Sequence, residues 1–230
     1  MSSSTVSRPA TLPVPPVRSA LVDDVYESIK AWIMDSVQEA GVRANIDALA
    51  RALDVSHTPV REALARLDAE GLVAKEPSRG YTVTAPLSAA QVEELYEFRL
   101  LLEPWAAGRA AARCDEVAIR RLRDELATCA DAPEDAGYEA YRAIADHDER
   151  FHDLVLELAG NGEARKAFAR THCHLHLFRL SYGKGMGRQA LAEHRAVVDA
   201  LVDGDEAGAA AAMERHLRRS SERLAGVLAT

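Results

Sequence analysis

At 230 residues, with 48% hydrophobic and 28% charged side chains, the chain can hold one large domain or two small ones, each with its own core. No apolar run approaches the ~18–20 residues of a membrane span, and a net charge of −8 excludes a protein that coats nucleic acid indiscriminately. Cys114, Cys129 and Cys173 are too few and too scattered for a disulfide framework; they read as packing residues in a reducing cytoplasm.

Residues 1–18 are rich in Ser, Pro and Val and lack the apolar middle of a signal peptide, so a disordered arm is expected there. Leu21, Val25, Ile29, Ile33 and Val37 follow at helical spacing, and Gly41 closes that helix. Ile46, Leu49, Ala50 and Leu53 predict a short second helix capped by Asn45. A third starts near Pro59, which suits a first helical turn because no N–H partner is needed there; Ser56 or Thr58 can cap it. Val60, Leu64 and Leu67 form its apolar stripe, Gly71 ends it, and His57, Thr58 and Arg61 fall on the other side. Two short helices around a tight turn, the second with hydroxyls and a cation at its exposed N-terminus, define a helix-turn-helix built to meet a DNA groove.

Residues 72–75 and 81–84 are β-prone and flank a turn-forming cluster, predicting a hairpin wing with Arg79 at its tip. Arg79 can reach phosphate or minor groove, and Gly80 permits close backbone approach. Residues 1–87 sum to only −2 and residues 88–230 to −6. DNA binding must therefore rest on a few placed cations and on two copies of the module, matched to a pseudo-palindromic operator.

After Pro86, Ser88 and Gln91 form a capping-box start, and everything beyond is helical. Helices are expected over about 88–112, 117–130, 138–159, 164–180, 189–202 and 205–228, with breaks at 133–137, 160–162 and 183–187. The fold class is mainly α: a winged helix-turn-helix of three helices and a hairpin (residues 19–86), then an all-α bundle of six to seven helices (residues 87–230).

Asp148 and His152 stand four apart on one helix face, a workable half-site for a divalent transition ion, although that spacing is common by chance. His194 and His216 lie on the last two helices and individually read as surface or core-edge residues. Arg99 is in line with Leu95 and Leu102, so its burial calls for an anion such as Glu103. His172 and His176 share a face and read as solvated or pocket-edge groups; the role of the run His172, His174, His176 stays open. His147 is expected to point away from Asp148, since one residue rotates the helix by ~100°.

The pattern Leu49-Ala50, Leu53 through Leu64, Leu67, Glu70 through Val73 and Arg79 through Val83 resembles the winged helix-turn-helix of GntR-family transcriptional regulators. Arg99 through Pro104, Asp148 through His152 and Asn161 resemble the FCD effector domain of the FadR-like branch, so the likeness runs from about residue 20 to 228. The resemblance implies operator contacts for Ser56, His57, Thr58, Pro59, Arg61, Arg79 and Gly80, with His57 standing where the family usually carries Arg. It implies a divalent metal on Asp148, His152, His194 and His216, zinc with nickel or manganese as alternatives, and Arg99 as the clamp of a small organic acid effector. It also implies a homodimer held by the bundle. A metal-responsive regulator is the alternative. A metal-dependent hydrolase fused to a DNA-binding module is disfavoured, because no His-Glu-x-x-His run or nearby Glu base accompanies the ligands.

Overall fold

A computed structural model describes residues 20–35, 40–77, 79–129, 138–181 and 187–228. The arm expected at residues 1–18, the break at 133–137 and residues 183–186 lie outside the described residues.

The N-terminal unit runs α1 (Ala20–Asp35), β1 (Arg43–Ala44), α2 (Ile46–Ala52), α3 (His57–Ala69), β2 (Val73–Glu76) and β3 (Gly80–Val83). The α1 stripe of Val25, Ile29 and Ile33 buries against Val60, Ala63, Leu64 and Leu67 of α3, with Leu72, Tyr81 and Val83 closing the core. Asn45 caps α2 by accepting from the Ala48 amide at 3.0 Å. Asp54 turns the chain from α2 into α3 at φ 52°, a left-handed position that short polar side chains tolerate.

Ser56 occupies the cap position of α3 but makes no capping bond. A cap side chain accepts from the second or third helical amide, and the third residue here is Pro59, which has no N–H. The Ser56 hydroxyl is therefore left exposed for other partners.

The wing is antiparallel, pairing Val73 with Val83 and Lys75 with Tyr81. β1, which periodicity did not reveal, adds Arg43 opposite Thr82, giving the order β1-β3-β2.

Among the described residues the second unit has seven helices: α4 (Ala89–Ala111), α5 (Glu116–Ala127), α6 (Tyr138–Leu158), α7 (Gly162–Ala169), α8 (Cys173–Ser181), α9 (Gly187–Val202) and α10 (Glu206–Leu228). Ser88 and Gln91 form the full capping box at the start of α4. α4 and α10 cross closely at Gly108, where a Cβ would come within 3.2 Å of the Glu206 carbonyl oxygen. Ala107, Ala110 and Ala111 of α4, Phe151 and Val155 of α6, Val197, Val198 and Leu201 of α9, and Met213 and Leu217 of α10 form the main core.

The single helix expected over 164–180 is two helices. His172 adopts φ 46° between them, so the chain turns before α8 begins. α8 then touches both units: Leu175 packs on the N-terminal core, and His176 Nε2 would lie 3.3 Å from a Cβ on Gly71. Arg179 donates to the Thr84 carbonyl at 2.8 Å. Among the described residues no helix is long and apolar enough to cross a membrane.

Candidate functional sites

α6, α9 and α10 bring Asp148, His152, His194 and His216 together, one donor atom from each lying within 4.8 Å of all the others. The three rings are buried, and each is held from behind. His152 Nδ1 meets the Glu103 carboxylate, and His216 Nδ1 lies 2.9 Å from Glu193 Oε2. A ring nitrogen facing a carboxylate carries the proton, so both rings have an unprotonated Nε2.

The His194 ring is fixed through a relay. His147 Nδ1 faces two acceptors, the Glu125 carbonyl at 3.1 Å and its Oε1 at 3.0 Å, and therefore donates. His147 Nε2 is then the acceptor for His194 Nδ1, 3.0 Å away. This leaves His194 Nε2 with a lone pair, buried without a hydrogen-bond partner and 3.3 Å from Asp148 Oδ1. His147 thus does not point away as the helical rotation implied; it is buried and orients a neighbouring ring.

Electrostatics keep the donors in the right forms. Burial works against the Asp148 carboxylate, but hydrogen bonding from His174 outweighs it and holds Asp148 well below the usual carboxylate range. Burial pushes His152 down to about 4 despite the attraction of Glu103, and likewise holds His194 well below an ordinary histidine. Three imidazole nitrogens and one carboxylate suit a divalent transition ion such as zinc, nickel or manganese, and the orphaned His194 nitrogen fits that use.

His174, whose role the sequence leaves open, is buried in this site, its Nδ1 2.7 Å from Asp148 Oδ2. Burial works against a proton on this ring, but the neighbouring Cys173 sulfur and the Asp148 carboxylate favour it, and the ring pairs with Asp148 through Nδ1. The alternation in the run was the available signal: on α8 it is the middle histidine that faces inward. His172 instead lines a cavity of about 230 Å³ between the two units, together with Tyr26, Lys30, Glu70, Phe168 and His174.

Arg99 is buried and donates from Nε to Glu103 Oε1 at 2.6 Å. The internal ion pair expected as one option is therefore present. Its Nη2 lies 3.4 Å from His152 Nε2, so the outer edge of the guanidinium borders the metal donors. Glu103 serves both neighbours, and Arg99 and His152 together hold its carboxyl far below the ordinary range despite burial.

At the N-terminus of α3, Ser56, His57, Thr58 and Arg61 are exposed, whereas Pro59 is buried and acts by starting the helix. His57 Nε2 lies 3.2 Å from Asp47 Oδ1 on α2. Arg79 is exposed in the wing turn, 3.7 Å from Glu76 Oε2, and Gly80 takes φ +82° beside it.

A winged helix-turn-helix joined to a helical bundle with a buried cluster of one aspartate and three histidines defines a regulator class. The chain matches the family model "Bacterial regulatory proteins, gntR family" over residues 21–83 and the FCD domain over residues 94–219. It belongs to the GntR-family, FCD-domain transcriptional regulators, and is a DNA-binding regulator rather than an enzyme. It is 26% identical over 205 residues to the HTH-type transcriptional regulator YdhC of Bacillus subtilis, covering 88% of this chain and 90% of that one. It is also 26% identical over 222 residues to the putative L-lactate dehydrogenase operon regulatory protein of Escherichia coli, covering 86% and 83%. Among solved structures, E. coli McbR/YncC shares the fold with a TM-score of 0.66 at 20% identity, over 90% of this chain and 98% of that one.

Proposed function

We propose that this regulator is a cytoplasmic homodimer whose operator binding is modulated by a small organic acid held beside a divalent ion. Residues 19–86 bind a pseudo-palindromic operator, and residues 87–230 bind the effector and the second copy. The observation that carries the metal reading is the convergence of four donors within 4.8 Å, three of them rings whose outer nitrogens are each fixed by Glu103, His147 or Glu193. Asp148, His152, His194 and His216 would hold the ion, which supplies a positive charge and open positions for a carboxylate. Zinc suits the set, as do nickel and manganese.

Arg99 is the effector's second anchor. Its guanidinium borders the donors through Nη2 while Glu103 holds Nε, and a planar fork matches a carboxylate. The E. coli relative is named for an L-lactate dehydrogenase operon. A 2-hydroxy acid carries the carboxylate and neighbouring hydroxyl that an ion and an arginine can share, which makes it the first class to try. Dimerisation is supported by α4, where Leu101 and Trp105 stand one turn apart, 81% and 41% exposed. On the DNA side, Ser56, His57, Thr58 and Arg61 form the reading edge, with Arg79 and Gly80 of the wing on the backbone.

Thermal melting of the full chain against a panel of small organic acids, with and without chelator, tests the reading. Stabilisation by an acid that disappears with chelator is expected. Stabilisation by metal alone, with no acid effective, replaces the proposal with a metal-responsive regulator.

A further inference from the structure

We infer that Asp47 and His57 act together as a specificity element, selecting a base that offers an amino group, adenine or cytosine, in each half-site. This rests on the proposal that the N-terminus of α3 faces the DNA.

The two residues come from consecutive helices, Asp47 in the first turn of α2 and His57 at the first position of α3. His57 Nε2 lies 3.2 Å from Asp47 Oδ1, and both side chains are mostly exposed, at 56% and 67%. A neutral imidazole facing a carboxylate places its proton on the facing nitrogen, so Nε2–H donates to Oδ1 and Nδ1 keeps its lone pair. With the ring neutral, the pair presents only acceptors outward: His57 Nδ1 and the second oxygen of Asp47.

That inventory decides what it can meet. Phosphate oxygens, guanine N7 and O6, and thymine O4 are all acceptors, and a carboxylate repels them. In the major groove the donors are adenine N6 and cytosine N4, and acidic side chains accept from cytosine N4. Arg61, exposed one turn further along α3, is the complement, since its donors match guanine N7 and O6. Four residues at ~1.5 Å rise separate the two by about 6 Å, between one and two base steps of about 3.4 Å. Each half-site should then carry adenine or cytosine within about two base pairs of a guanine.

Selection from a randomised duplex pool with the full chain tests this, using wild type, Asp47→Ala, His57→Ala and Arg61→Ala. Adenine or cytosine is expected at that position for wild type. Asp47→Ala and His57→Ala should each flatten the preference there at least about fivefold, the lower end of one base-pair contact, while the guanine preference stays. Any other wild-type outcome at that position, or a preference that either variant leaves intact, overturns the inference. Arg61→Ala separates the two levels. Loss of the guanine preference in that variant keeps the helix assignment even when the pair's role fails; a variant that still selects the wild-type sequence shows that the assignment itself is wrong. Asp47→Asn, which keeps an oxygen acceptor, replaces Asp47→Ala if the latter melts earlier.

Discussion

His147 Nε2 lies 3.0 Å from His194 Nδ1, so a residue that binds no ligand itself fixes which nitrogen of His194 faces the cluster. The Glu125 oxygens behind His147 set the direction of the whole relay. His147→Ala should lower metal affinity about 10–100-fold, as loss of an outer partner does at other sites, with helix content unchanged. Competition against a chromophoric chelator reads this; an unchanged constant would remove His147 from the site.

His194→Ala removes a donor rather than its support. Metal per chain by elemental analysis should fall well below that of wild type, and acid-dependent stabilisation should disappear, while circular dichroism stays near wild type. Retention of full stoichiometry would mean that the ion sits elsewhere.

Arg99 and Glu103 form a buried pair in which each neutralises the other. Arg99→Met leaves the Glu103 carboxylate without its guanidinium partner, which should cost about 3–5 kcal/mol in urea unfolding of the metal-free chain. The double variant Arg99→Met, Glu103→Leu should recover much of that stability, because no charge is left stranded. It should still bind metal more weakly, because His152 loses the carboxylate that fixes its Nδ1.

Arg61 is exposed and lies outside both cores. Arg61→Ala should weaken binding to a selected operator by about 1–3 kcal/mol, read by fluorescence anisotropy at fixed salt, with an unchanged melting temperature. Equal affinity would argue against α3 as the reading helix.

Leu101 and Trp105 share one face of α4 and are among the few large apolar side chains exposed among the described residues. Introducing Leu101→Glu and Trp105→Glu together places two charges on that face. Sedimentation should then report monomers with native helix content, and a persistent dimer would move the interface to another surface.

The architecture was legible wherever one physical signal dominated. Val25, Ile29 and Ile33 announce α1 by spacing alone, and Asn45 and Ser88 mark helix starts by their oxygens. β1 escaped because two residues carry no period. The break before α8 escaped because His172 takes a left-handed conformation that sequence assigns to Gly or Asn. At the site, Asp148 and His152 could be paired by their shared helix face, a spacing common by chance that only the family resemblance made pointed, and His147 and His174 had no such support. A 100° rotation excludes His147 only if the centre is approached from one side; here α9 lies beside α6, so His194 comes within reach of a residue on the adjoining face. His174 needed knowledge of where α8 sits, which depends on packing across about 26 residues.

α8 carries neighbouring residues with separate loyalties. His174 is tied to Asp148, the half-buried Leu175 packs against the core of the DNA-binding unit, and Arg179 grips Thr84 where the wing leaves that unit. An ion that claims Asp148 would compete with His174 for the same carboxylate, and the very next side chain would feel the change. Communication between the two halves then requires no long chain of intermediaries. The relevant lever arm is the width of a single helix, about 10–12 Å, and its stiffness is that of one short rod clamped at both flanks.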